Sequence, residues 1–169
     1  MDTNGAILIL ERWIARTAES YPRYASALLS KEPDPFRNPV GATLRRSLSQ
    51  LLRELFGEMD APAIASAIDP IIRLLVVQGF ANDALPPDDA VRFVSLLKPI
   101  LRELASERNS AVLDGTIDDG TIDERRIDRL ATMAADKYTE CRAQLDRIRA
   151  HEVQRASHVQ QLIRARRPA

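Results

Sequence analysis

Residues 38–57, NPVGATLRRSLSQLLRELFG, decide the fold class. Asn38 suits the position before a helix, because its short amide accepts a backbone N–H from the first turn. Pro39 suits the first helical position, where its missing N–H leaves nothing unpaired. Leu44, Leu48, Leu51, Leu52 and Leu55 then recur at spacings of three and four, which lines them along one wide stripe. Gly57 supplies the stop.

The same signals continue in both directions, and strict alternation of apolar and polar residues is nearly absent. Upstream, residues 3–19 read as a first helix with Ile7, Leu10, Ile14 and Ala18, joined by Ala6 and Trp13, on its inner side. Tyr21-Pro22 ends it, since a proline disfavours helical geometry in the residue before it, and Pro22 opens a short second helix to about Leu29. Residues 30–39, SKEPDPFRNP, form a rigid loop. Downstream, Asp60 caps a fourth, short helix, and Asp69-Pro70 opens a fifth that ends near Gly79. A sixth helix runs from Pro87 to about Arg108, with Val91, Val94, Leu97, Leu101 and Leu104 inward and a kink expected at Pro99. The expectation is an all-α bundle of about six helices over residues 1–108, followed by a linker and one more element.

The linker is residues 109–122, rich in Asp, Gly and Thr, with DGTID written twice at 114–118 and 119–123. Residues 123–169 hold the last element, a helix of about 44 residues without glycine or proline until Pro168. At 1.5 Å per residue it would extend about 66 Å, so part of it must project or pair with another chain. Its stripe is Ile127, Leu130, Ala134, Tyr138, Cys141, Leu145 and Ile148, broken by Glu152 and resumed at Val159 and Ile163. Charge changes across the linker. Residues 101–123 hold six acids and two bases, net −4; residues 124–169 hold eleven bases and six acids, net +5.

Composition narrows the function. Twenty-four basic residues balance 24 acidic ones, so no overall positive field draws nucleic acid. A single cysteine, Cys141, cannot close an intrachain disulfide, which fits a reducing compartment. The apolar run from Ala6 to Leu10 is too short for a secretory signal, and that from Ile71 to Val77 too short to span a bilayer. The expected location is the cytoplasm, without membrane insertion.

Candidate chemistry is sparse. His151 and His158 are seven residues apart, about 10 Å along a helix, whereas a helical metal pair needs spacing of three or four. The doubled DGTID fails as a calcium loop in both registers, because neither glycine has an acid five residues before it. Cys141 and His151 would sit about 15 Å apart, too far for a nucleophile and its base. No glycine-rich phosphate loop is present. The chain is therefore expected to be no enzyme and to carry no metal.

Several stretches resemble a known family: Asp34-Pro-Phe-Arg-Asn-Pro-Val-Gly41 preceded by Trp13 and Tyr21-Pro22, then Ile71-Ile-Arg-Leu74, Val77-Gln78 and Phe80, then the helix carrying Phe93, and finally Tyr138, Cys141-Arg142 and Arg155. They are similar to the N-terminal domains of RsbR-type co-antagonists, in particular the RsbRD N-terminal family, sensor-like modules of bacterial stressosomes. The resemblance implies a globin-like helical domain without haem that dimerises; in such proteins a long helix leads into a STAS domain that holds the kinase RsbT. Nothing in residues 1–169 corresponds to a STAS domain, so a stand-alone module is expected. Haem is also disfavoured by the residues themselves, since no histidine lies on a mid-chain helix.

The expected function is regulation through protein contacts, with no cofactor, no nucleic acid, and a protein partner or a homodimer formed by the last helix. The alternative is a small-ligand domain with a pocket between the regions of Trp13, Phe36, Arg73 and Phe93. Positions expected to line a ligand pocket or an interface are Trp13, Phe36, Asn38, Arg73, Gln78, Phe93 and Tyr138. Phe36 is expected to plug its loop into the core.

Overall fold

The computed structural model describes residues 3–21, 27, 29–30, 32, 34–79, 87–111 and 124–165, with the side chains of 3, 77–79, 87, 108–111 and 159–165 outside that description. The protein is all-α, and no strand occurs among the described residues. In chain order the helices are α1 (Thr3–Ser20), α2 (Pro39–Phe56), α3 (Ala61–Gly79), α4 (Pro87–Ala90), α5 (Arg92–Ser95), α6 (Leu97–Ala111) and α7 (Glu124–Ala165). The short helix expected over 22–29 and the linker 109–122 fall largely outside the described residues.

Helix α2 forms as its sequence dictates. The Asn38 side-chain oxygen accepts the Gly41 N–H at 2.9 Å, and its amide nitrogen donates to the Ala27 carbonyl at 2.7 Å. All five leucines of the stripe are buried. Gly41 faces that same junction, and a Cβ there would overlap the Ala27 carbonyl oxygen and the Asn38 side chain. Glycine is needed for close approach rather than for backbone freedom.

After the turn at 57–60, Asp60 accepts the Ala63 N–H at 3.0 Å and starts α3. The expected break at Asp69-Pro70 does not occur, and α3 runs through Pro70 as one helix. Packing decides this. Ile64, Ala67, Ile68, Ile71, Ile72, Leu75 and Val76 are all buried between α2 and α7. An interior proline costs about 3 kcal/mol, whereas each buried aliphatic side chain contributes about 1.5–3 kcal/mol. Asp69 is consequently no cap; it pairs with Arg73 and Lys137.

The helix expected over 87–108 is instead three segments, with breaks at Val91 and Leu96. Pro99 lies in the first turn of α6, where its missing N–H leaves no bond unmade. The chain places the bend just before the proline rather than at it.

Helix α1 crosses α2, α5 and α6. Trp13 is fully buried, stacks on Phe93 with ring centroids 6.5 Å apart, and donates from Nε1 to the Phe93 carbonyl at 2.6 Å. That anchor rotates α1 so that Gly5, Ile9 and Thr17 face inward, leaving Ile7 53% exposed. The expected inner position of Ile7 is thus corrected. Two-point ion pairs fasten the outer side to α6, Arg12 to Glu107 at 2.8 and 2.7 Å and Arg16 to Glu103 at 3.0 and 3.1 Å.

Candidate functional site

Helix α7 is two objects in one 42-residue rod. Its first half belongs to the core: Ile127, Leu130, Ala134, Tyr138 and Cys141 are buried against the bundle. Polar contacts fix its start. Arg126 donates to the Leu55 and Gly57 carbonyls at 2.8 and 2.7 Å, satisfying the open end of α2. Lys98 meets Asp128 at 2.6 Å, and Arg102 meets Glu124 at 2.6 Å, which lays the beginning of α7 antiparallel to α6.

Midway, Lys137 bridges to Asp69 of α3 at 3.1 Å and to Glu140 at 2.9 Å. Hydrogen bonds first to Glu140 and then to Asp69 raise the Lys137 ammonium above its ordinary value. Burial alone would raise the Asp69 carboxyl, but hydrogen bonds from Arg73 and Lys137 outweigh it and hold the group below the usual range. Cys141 lies close to this cluster. Burial raises its thiol pKa against the opposing pull of Arg73, so it is a poor nucleophile.

Beyond Cys141 the packing fades. Leu145 is half-buried, and every residue from Asp146 to His158 is exposed. Ile148 is 54% and Val153 66% exposed. The twenty residues from 146 to 165 extend about 30 Å past the bundle. The exposed half carries apolar residues that its own domain leaves uncovered, and a helix of this composition is ordinarily covered by something.

Of the seven positions expected to form a pocket or interface, the six whose side chains are described do not converge on one place. Trp13 and Phe93 meet in the core. Asn38 is the cap of α2, and Tyr138 is buried on α7 with its hydroxyl 3.1 Å from Arg142. Arg73 lies on the exposed side of α3, tied to Asp69 at 2.6 Å, and not in a buried site. The Gln78 side chain is outside the described residues. Phe36 is 95% exposed, so it plugs nothing. The local reason is the turn at Asp34: its carboxylate accepts the Phe36 N–H and its carbonyl accepts those of Arg37 and Asn38, which puts residue 36 at the tip.

Near Trp13, a cavity of about 10 Å³ lies between Thr17, Tyr21, Leu48, Ile71 and Phe93. It has room for one water, far less than the several hundred Å³ of an ordinary metabolite pocket. No group of three or more His, Cys, Asp or Glu able to hold a metal occurs among the described residues. His151 and His158 are exposed on one side of the projecting half.

Residues 8–153 match the family of N-terminal domains of the RsbT co-antagonist protein RsbRD. The chain belongs to that family. The RsbRD N-terminal domain match begins in α1 and ends at Val153, so it covers the whole core and the first turns of the exposed half of α7. The family is one of regulatory co-antagonist domains and not a known enzyme family. No curated protein and no solved structure matches the chain significantly. No described helix is long and apolar enough to cross a membrane.

Sequence reasoning missed one contact that positions α7 in this RsbRD N-terminal domain. The partners of Arg126 lie about 70 residues earlier in the chain, so no local pattern announces it. The boundary between the packed and free halves of α7 was legible: it lies just after Leu145, within three residues of Ile148, after which the sequence breaks the stripe.

Proposed function

We propose that this chain is a non-catalytic regulatory module of the stressosome-related type its family implies, acting in the cytoplasm through protein contacts. Its contact element is the projecting half of α7, and its first partner is the same element of a second copy. One observation carries this reading: a single stripe crosses the burial boundary. Leu130, Ala134 and Cys141 are covered by the bundle, while Ile148, next in line after half-buried Leu145, is uncovered in the single chain. The sequence breaks the line at Glu152 and resumes it at Val159 and Ile163. Two such rods laid along their stripes would cover these positions mutually, as helices do in a coiled coil.

Sedimentation of the full chain tests the reading. The expected mass is twice 18.9 kDa at micromolar concentration, and a version ending at Leu145 should sediment as a folded monomer. A full chain that stays monomeric at every concentration contradicts it.

A further inference from the structure

The projecting half of α7 has a second face, beside the apolar stripe. At 100° per residue, Gln144, Arg147, Ile148, His151, Gln154, Arg155 and His158 fall within one third of the helix circumference. Asp146 and Glu152 lie outside that sector. The face is thus two guanidinium groups and four further polar side chains, edged by one isoleucine. Arg147, His151, Arg155 and His158 make no ion pair or side-chain hydrogen bond with a described residue. This contrasts with the start of the same helix, where Glu124 and Asp128 are engaged by Arg102 and Lys98.

The chain also contains the complement. Residues 112–123, VLDGTIDDGTID, carry four aspartates and no base, alternating with Leu113, Ile117 and Ile122. An acidic chain with interspersed isoleucines matches a basic face edged by Ile148 in both charge and apolar character. We propose that this face of α7 receives the acidic segment 112–123 of a second copy of the chain.

Reach excludes the segment of the same copy. Arg147 lies 23 residues along α7 from Glu124, about 35 Å. The segment is tethered at Ala111 and at Glu124, twelve residues apart, so none of its residues is more than about six residues from an anchor. Six extended residues span about 21 Å. The other anchor is farther still, because α6 runs antiparallel past the start of α7. Only a neighbouring molecule can bring these aspartates to Arg147 and Arg155. The contact is distinct from the apolar pairing proposed above, since it uses the adjacent face and shares only Ile148 with the stripe.

A fluorescent peptide of residues 112–123 titrated with the full chain tests the contact. Binding is expected to weaken as salt rises. It should weaken roughly tenfold in the Arg147→Glu/Arg155→Glu protein. A peptide with all four aspartates changed to asparagine should not bind. The Arg46→Glu/Arg129→Glu protein, with the same change in net charge at exposed sites elsewhere, should bind within about twofold of the parent. Absence of binding at low salt, or equal loss in both double variants, overturns the proposal. So does equal competition by poly-glutamate or single-stranded DNA, which would make the face a general anion surface. The titration reads out whether or not the rods pair, so its failure leaves the pairing reading standing.

Discussion

Two truncations on the same stripe of α7 should behave oppositely. Leu130 is 1% exposed, and Leu→Ala at such a site removes the transfer energy of the side chain and leaves a cavity, about 2–5 kcal/mol in all. For a chain of this length, about 3 kcal/mol lowers the midpoint of thermal unfolding by roughly 6–12 °C. Ile148 is 54% exposed, so less than half of its burial energy is available within one chain, under about 1 kcal/mol. Alanine is also the better helix former, recovering a few tenths of that. Ile148→Ala should therefore leave the unfolding midpoint of a dilute sample within about 2 °C of the parent. At high concentration it should matter, because pairing adds to stability by mass action and this variant pairs less well. Urea and thermal unfolding followed by far-UV circular dichroism, each at two protein concentrations, measure both effects. If Ile148→Ala destabilises the dilute chain as much as Leu130→Ala does, the division of α7 into a packed and a free half is wrong.

Three further outcomes follow from the core and its ion pairs. Asn38→Ala removes both the cap of α2 and the bond to the Ala27 carbonyl, and should cost about 1–2 kcal/mol in urea unfolding; Gly41→Ala should cost about 1–3 kcal/mol through overlap at the same junction. Because the folded state holds the Asp69 carboxyl below its ordinary value, its stabilising contribution is present at neutral pH and disappears as pH falls from the ordinary carboxylate range through the lower folded-state value; Asp69→Asn should flatten that limb of the stability–pH curve. Cys141, buried with a raised thiol pKa, should react with a thiol reagent at neutral pH at least roughly a hundredfold more slowly in the native chain than after unfolding, and rapid native labelling would contradict its burial.

What was legible in the sequence was what short-range chemistry determines. The cap at Asn38, the leucine stripe of α2, the start of α3 at Asp60 and the core half of α7 all appear where spacing and capping residues put them. The misreadings have a common origin in tertiary context. Pro70 carries a strong local signal for a new helix, and seven buried aliphatic side chains override it. Pro99 signals a kink, and the chain instead breaks three residues earlier, where the proline can sit in a first turn. Residues 6–10 of α1 are apolar all round, so periodicity could not choose between Ile7 and Ile9; the distant stacking of Trp13 on Phe93 chose. Phe36 illustrates the limit for sites. An aromatic in a proline-rich loop suggests a plug, yet the hydrogen bonds of Asp34 turn it outward.

Amide hydrogen exchange along α7, recorded at low and high protein concentration, probes the two-part helix most directly. Amides of 127–141 should be strongly protected under both conditions, and those of 146–158 should gain protection only when the sample is concentrated. Exchange in 146–158 at the rate of an unstructured peptide at every concentration would contradict the account.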